Sequence, residues 1–586
     1  MDNGEAISLG GNVWRMVPAD EAWCERVAQT YDLPPHLARL LSCRHVAFDE
    51  VNVFLQPKLQ KLMPDPYVLK DMQKAAERVA AAVMNGEKIA IIGDYDVDGA
   101  TSTAELTRFL RAVGIESLIH IPSREEGYGP SDLAFAEFAA AGAKLVITID
   151  CGTTAFDVLN RAAANGFEII VVDHHEAETE LPQVFAVVNP KRLDEENPYK
   201  HLEYMSAVGV GFMFLVAVNR ILRQKGFYQN RTEPNLMNLL DLVALGTVCD
   251  VVPLLGLNRA YVKQGLKVMA GQQNVGLKKL MTAVNLTTAP RAYHLGFMLG
   301  PRINACGRVG DAALGSRLLL TDDEIEAQKL AEKFNEMNTE RKEIESYVLL
   351  QAIEQVEGEV QAYPMAFAVG DDWHQGVIGI VAGKLRERYN MPAFVMSIEP
   401  DEVKGSARSV DGLDLGALII AAKEKGVITH GGGHVMAAGF SLTQEQIPAF
   451  KQFVGEYVLA QLGTEKITPV LNIDCSVNAA AVNVAFAQQL EQLEPYGTGN
   501  PEPLIKISDV QISRPQIVGN GHVKCFLTSA LGGYVSAIAF NAADSQIGQA
   551  VLNHHGDIYD VVGTVKTDVW QGNVKVQLVI KDMMRK

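Results

Sequence analysis

Residues 87–114 read EKIAIIGDYDVDGATSTAELTRFLRAVG. An apolar run stops at Gly93, aspartates follow at every second position, and a helical composition then runs to Gly114. The alternation repeats downstream: SLIHIPSR, AKLVITID, FEIIVVDHH and FAVVNP are short apolar runs, while SDLAFAEFAAAG and TTAFDVLNRAAANG are helical stretches closed by glycine. That order predicts an α/β fold, a parallel sheet covered by helices on both faces. Ligands of such sheets bind beyond the carboxyl ends of the strands.

Three of these strands end in chemistry-bearing residues. Asp94, Asp96 and Asp98 follow the first, and an extended backbone would put all three carboxylates on one side. Like charges that close repel unless cations neutralise them. No bidentate glutamate follows at the spacing of an EF-hand, although a solvated acidic turn would read the same way in isolation. Asp150 ends ITID, and Asp173, His174 and His175 end the next strand. Successive side chains on a strand face opposite ways, so the two histidines are expected to do different jobs. Asp250, in ALGTVCDVVPL, follows an apolar helical stretch and is the weakest candidate from pattern alone. Carboxylates and imidazole without thiolate suit Mn²⁺ or Mg²⁺ rather than structural zinc. There are enough ligands for two ions, a known device for phosphoryl transfer.

The remaining composition bounds the reading. At 586 residues, 48% hydrophobic and 21% charged, the chain predicts several ordinary globular domains. A formal charge of −18 argues against a broad nucleic-acid-coating surface but allows a narrow basic channel. Seven cysteines without a CxxC pair suit reduced thiols and a cytoplasmic location. The N-terminus lacks the features of a secretory signal. The longest apolar run, Ala207–Val218, is too short to span a bilayer, so no membrane is expected.

Further along, Thr321–Glu324 predicts a capping box for a long helix. Its apolar stripe would run through Ile325, Leu330, Phe334, Met337, Ile344 and Val348. In VKGSARS, Ser406 and Arg408 at period two could present a hydroxyl and a guanidinium together to a phosphate. THGGGH, with Gly432, Gly433 and His434, predicts an anion-binding turn with open backbone amides. Arg302 and Arg308 in GPRINACGR and Arg124 in IPSREEGYG are further phosphate candidates, and Tyr128 could stack a base. After about residue 466 the texture turns to short strands, with a hairpin expected at Gln571–Gly572 and a small barrel such as an OB-fold as the fit. Phe526, Tyr534, Phe540 and Trp570 could be stacking platforms there, though most are expected in the core.

GDYDVDGATSTA, TIDCGTT, VVDHHEAE and GTVCDVVP resemble the four motifs of the DHH phosphoesterase superfamily. HQGVIGIVAGKL, GSARS and THGGGH resemble the DHHA1 domain that accompanies it. GPRINACGR, PYGTGNPEP and the β-rich tail resemble the branch of that superfamily that degrades single-stranded DNA from the 5′ end. The resemblance covers nearly the whole chain in order, and departs only in stopping after the tail, where some relatives continue. It implies a 1–55 N-terminal helical segment, a 56–320 DHH domain, a 321–358 connecting helix, a 359–466 DHHA1 domain and a 467–586 OB-like domain.

The resemblance also implies that Asp96, Asp98, Asp150, His174 and Asp250 hold two metals, with Asp150 bridging. Asp94 would be a ligand or a partner of one, and His175 would act catalytically near the scissile phosphate. The implied activity is a 5′→3′ exonuclease on single-stranded DNA that yields mononucleotides in recombination and repair. The chain is expected to be a monomer served by a helicase and a single-strand-binding protein. Two alternatives are a hydrolase of short oligoribonucleotides or pAp, which would end after the second domain, and a non-catalytic replication scaffold, which would not need complete acidic motifs.

Overall fold

The computed structural model describes residues 6–124, 126–358, 363–463, 468–530, 532–570 and 573–586. Packing divides the chain into two units. One joins Arg15–Asn335 to Asn472–Lys586, and the other joins Glu336–Leu471 to the N-terminal stretch up to Trp14.

The first unit is built on five parallel strands: β1 (Ile89–Ile92), β2 (Leu118–His120), β3 (Leu145–Ile149), β4 (Glu168–Val172) and β5 (Ala186–Val188), in the order β2-β1-β3-β4-β5. Alternate residues feed two cores. Ile89, Ile91, Ile147, Ile149 and Val172 point into one, and Ala90, Ile92, Val146 and Val171 into the other. Both faces are therefore apolar, which is why the strands read as unbroken hydrophobic runs. The chain leaves β1 for β2 on one side and returns to β3 on the other. That reversal opens a crevice between the carboxyl ends of β1 and β3, the usual ligand position in such sheets.

Helix α1 (Val97–Ala112) follows β1, and two apolar helices, α2 (Ala207–Gln224) and α3 (Leu240–Cys249), pack against it. Helix α2 is long and apolar enough to cross a membrane, but 78% of its apolar window is buried within the fold. Helix α3 is buried from Leu240 to Thr247, so its position is fixed on every side. Helix α4 (Gly300–Val309) carries GPRINACGR. Helix α5 (Glu324–Gly358) is the long helix the sequence predicts, and the division between the two units falls within it. Its N-terminal cap differs from the expected Thr321 box: the Asp323 carboxylate accepts from the amides of Ile325 at 2.7 Å and Glu326 at 3.0 Å. Ile325 is exposed, whereas Leu330, Phe334, Met337 and Val348 are buried.

The tail closes into a barrel. Strands Ile505–Val518, His522–Ser529, Tyr534–Ala539, Asn573–Arg585 and Ile558–Trp570 pair in that spatial order, and the last pairs back onto the first. The final two strands pair antiparallel as a hairpin, while its expected turn at Gln571–Gly572 lies outside the described residues. A buried guanidinium ties the barrel to the sheet-bearing part. Arg259 donates to the carbonyls of Leu493 (2.8 Å), Glu494 (2.9 Å), Pro495 (3.2 Å) and Phe54 (2.8 Å). Arg44 adds bonds to Asn500 and the Pro501 carbonyl, both at 2.8 Å. PYGTGNPEP is thus the docking segment of the tail.

The second unit holds a mixed sheet of β6 (Ala366–Asp371), β7 (Ala393–Ile398), β8 (Val403–Arg408), β9 (His430–His434) and β10 (Ala437–Leu442), in the order β9-β10-β8-β7-β6. Helix α6 (Gln375–Tyr389) packs on β7 and β8.

Candidate metal centre

The first acidic motif converges by a route other than the extended one expected. The chain leaves β1 at Ile92 and enters α1 at Val97. Asp96 is the N-cap, its carboxylate accepting from the Gly99 amide at 3.0 Å, and Asp98 lies in the first helical turn. A side chain at Gly99 would collide with the Asp94 backbone at 2.4 Å, so glycine permits this tight entry. Asp98 is anchored at both oxygens by the start of α2, accepting from Ala207 N at 2.6 Å and Val208 N at 3.1 Å. The exposed amides and dipole of a helix N-terminus suit a carboxylate. Gly246 of α3 sits close enough that a Cβ there would meet Asp98 Oδ1 at 2.7 Å.

Asp150 follows β3 with a φ of 63°, a left-handed conformation that aspartate tolerates better than most residues. The Tyr128 hydroxyl donates to its carbonyl at 3.0 Å. Asp250 caps the C-terminus of α3. His174, at the end of β4, is buried and places Nε2 3.4 Å from Asp150 and 3.9 Å from Asp98, with Nδ1 3.6 Å from Asp250. These spacings are longer than hydrogen bonds, and neither ring nitrogen has a hydrogen-bond partner among the described residues.

Ligand atoms fall into two triads that share no residue: Asp98, His174 and Asp250, and Asp94, Asp96 and Asp150. A third grouping joins Asp150 to both His174 and His175. Burial, then repulsion from Asp96, pushes Asp94 and Asp98 up to about 7. Burial, then Asp98 and Asp96, pushes Asp250 up to about 9 and Asp150 well above the carboxylate range. Burial and the neighbouring His175 drive His174 down to about 3, so its imidazole is neutral, the form that binds metals. Asp94 Oδ1 and Asp250 Oδ2 are likewise buried without hydrogen-bond partners among the described residues. Converging carboxylates whose charge burial opposes, with unpartnered oxygens and a neutral imidazole, fit two divalent cations.

His175 stands apart. Its Nδ1 is 2.8 Å from Asp173 Oδ1 and 3.2 Å from the Tyr128 hydroxyl, and its side chain is 42% exposed where His174 is buried. Asp173 is itself buried, accepting from the amides of Thr153 and His174 at 3.0 and 2.7 Å. Asn189 ties the Thr153 hydroxyl to the His175 carbonyl. The sequence places Asp173 at the strand end without giving it a role, and it does not point to Asn189 or the amides that begin α2. Only Asp173 carried a signal, its place in the D-H-H run.

The arginines divide. Arg124 lies 4.4 Å over the Tyr95 ring and donates to the Gly307 carbonyl, bracing the first motif against α4. Arg302 donates to Asn335 and the Met298 carbonyl. Arg308 ends α4, its charge acting on Tyr95.

In the second unit, Ser406 and Arg408 are joined by a 3.1 Å hydrogen bond on one face of β8. The glycine run is an edge strand, not the turn expected, because Gly432 pairs with Gly439 and His434 with Ala437 of β10. Those β10 residues pair in turn with Ser406 and Arg408. Directly paired residues share a face, so Ser406, Arg408, Gly432 and His434 line the same side, with Gly433 turned to the other. A side chain at Gly432 would meet nothing within 4 Å. The glycines therefore leave an open floor beside the Ser406–Arg408 pair.

In the barrel, the expectation of mostly buried aromatics fails. Tyr534 and Phe540 are 73% and 53% exposed, and Phe526 is half-buried 6.1 Å from Tyr534. The side chain of Trp570 lies outside the described residues.

Residues 88–247 match the DHH family N-terminal domain, residues 362–460 the DHHA1 domain and residues 473–582 the RecJ OB domain. These matches and the candidate metal site define a DHH phosphoesterase architecture. The chain is 35% identical to the single-stranded-DNA-specific exonuclease RecJ of Salmonella typhimurium, over 94% of its length and 96% of that protein. It is 34% identical to RecJ of Escherichia coli over the same shares. The Mn²⁺ complex of Thermus thermophilus RecJ superposes with a TM-score of 0.79 at 29% identity, covering 97% of this chain and 79% of that one. The Mg²⁺ complex gives 0.73 at 27% identity, covering 98% and 78%. The chain belongs to the RecJ family of single-stranded-DNA-specific exonucleases.

Proposed function

We propose that this chain is a metal-dependent exonuclease that shortens single-stranded DNA from its 5′ end to mononucleotides, in recombination and repair. The observation that carries the reading is the pair of separate carboxylate-rich triads at the sheet crevice. Asp98, His174 and Asp250 would hold one Mn²⁺ or Mg²⁺ ion, and Asp94, Asp96 and Asp150 the other, with Asp150 Oδ1 the nearest carboxylate oxygen to His174. When bound, such ions supply Lewis-acid stabilisation of the charge gathering on the phosphoryl oxygens.

The protein groups do the rest. Burial works against a charged His175, but the hydrogen bond and charge of Asp173 prevail and hold its imidazolium above the ordinary range. A protonated, outward-facing His175 is placed to give its proton to the departing 3′-oxygen. Tyr128 steadies the same ring. Ser406 and Arg408, beside the floor at Gly432 and His434, offer a terminal 5′-phosphate a hydroxyl and a guanidinium. On the barrel, Arg514, Lys524 and Lys575 surround Phe526 and Tyr534 in a recess of about 820 Å³, a combination suited to holding single strand. We further assign the chain to the cytoplasm, as a monomer that takes its strand from a helicase and a single-strand-binding protein.

The test uses oligonucleotides labelled at either end and incubated with Mn²⁺ or Mg²⁺. Mononucleotides should leave from the 5′ end of single strands while blunt duplex resists. Hydrolysis confined to short oligoribonucleotides or pAp would overturn the reading, as would inertness toward every strand.

A further inference from the structure

Two large aromatic side chains stand in the open beside the metal centre. Tyr293 and Phe297 are 60% and 71% exposed, and their rings stack with centroids 5.0 Å apart and planes 23° from parallel. Exposure on this scale is costly for phenyl rings unless something covers them. The backbone beneath them is irregular. Leu295–Leu299 forms a π-helical turn between the short helix Ala292–His294 and α4, and such turns concentrate at functional sites.

The pair forms one wall of a groove of about 510 Å³. Cys249 and Val251, the residues on either side of Asp250, also line the groove. Val251 has a φ of 62°, a strained conformation for a β-branched residue, and is 66% exposed. Pro495–Thr498 and Lys566 of the barrel line the groove as well. The cations here are already engaged: Arg291 pairs with Glu491 and Glu494, and Lys566 with Glu502. The groove therefore offers flat π-faces and apolar walls, and little for a phosphate.

We propose that the Tyr293–Phe297 pair is a base-stacking station for the strand on the 3′ side of the cleaved bond. This rests on the single-strand exonuclease reading above. A nucleobase of any identity has a π-face, so the station would hold strand without reading sequence. A lining that includes both neighbours of Asp250 and a residue of the barrel makes the occupant the substrate strand itself.

The experiment walks a single abasic residue inward from the 5′ end of a phosphorylated 20-mer and measures KM at each position. With the wild-type chain, one or two internal positions should raise KM by roughly five- to a hundredfold, the range of one lost stacking contact. The Tyr293→Ala/Phe297→Ala double variant should show that raised KM on the intact strand and be indifferent to the abasic position. It should lose far less on a dinucleotide. Phe297→Trp should keep the positional effect, while Phe297→Leu, apolar but without a π-face, should weaken it. Unchanged KM in the double variant overturns the proposal, and so does an equal loss on dinucleotide and 20-mer. A wild-type chain inert on every single strand would instead bring down the exonuclease reading, and the station with it.

Discussion

Asp173 Oδ1 sits 2.8 Å from His175 Nδ1, while the same carboxylate is pinned by the Thr153 and His174 amides. A buried, fully bonded carboxylate thus fixes the one imidazole of the pair that faces outward. If this bond orients the catalytic ring, Asp173→Asn should lower kcat by ~10²- to 10⁴-fold, the usual worth of a positioned acid or base. Metal affinity, measured by calorimetry, should change little. His174→Ala should do the reverse and lose metal first. Equal metal loss in both variants would show that the two histidines do not divide the work.

Arg408 shares its face of β8 with Ser406, to whose hydroxyl it donates at 3.1 Å. A charged hydrogen bond to a terminal phosphate contributes about 1.5–3 kcal/mol. Arg408→Ala should therefore lower kcat/KM roughly ten- to a hundredfold on 5′-phosphorylated strands, and much less on 5′-hydroxyl strands. Lysine should rescue only part, lacking the planar fork. A loss of the same size on both substrates would place end recognition elsewhere.

Arg259 is 1% exposed, and burial lowers it to about 10, so it stays charged at neutral pH. Arg259→Met would strip four carbonyls of their donor, a cost of ~3 kcal/mol or more. Thermal denaturation should show a Tm lower by roughly 2–3 °C or more. Truncation at about residue 466 removes the docking segment as well as the barrel. Any loss of activity on very short strands would then measure lost support, and loss confined to long strands would measure lost grip. An unaltered Tm in Arg259→Met would mean that the barrel docks by other contacts.

Glu105, on α1, is fully buried with neither carboxyl oxygen hydrogen-bonded to a described residue. Burial, reinforced by Asp98, raises it well above the ordinary range, so the folded chain keeps a proton that the unfolded chain releases. The folded state binds more protons in that interval, so its stability falls as pH rises above about 4.3, the ordinary glutamate value. Glu105→Gln removes this dependence. Its Tm advantage over wild type should widen from pH 5 to pH 8, and a constant difference would show that Glu105 is not held protonated.

Much of this was readable because the pattern itself is physical. Strands buried on both faces must be apolar throughout, and the sudden appearance of Asp94, Asp150 and His174 at their ends marks the crevice. The convergence of Asp96 and Asp98 was legible but its cause was not, since alternate residues share a side on a strand and can also converge at a helix cap. THGGGH has the composition of a turn, yet it pairs as a strand because small residues also permit close ladders. Arg259 left no trace, because its partners are backbone carbonyls far along the chain. Tyr293 and Phe297 occur at the spacing of an ordinary buried helix face, and only their exposure distinguishes them.

The four carbonyl bonds of Arg259 also bear on the order in which the chain can mature. During synthesis the strands and helices that carry every proposed metal ligand leave the ribosome first, the separate unit Glu336–Leu471 follows, and Leu493–Pro495 comes only near the end. Until then the Arg259 guanidinium lacks three of its four carbonyl acceptors and is left to water. The nascent sheet-bearing part therefore carries an unfilled docking site until the tail emerges, so the barrel is the last part of the chain that can be locked in place.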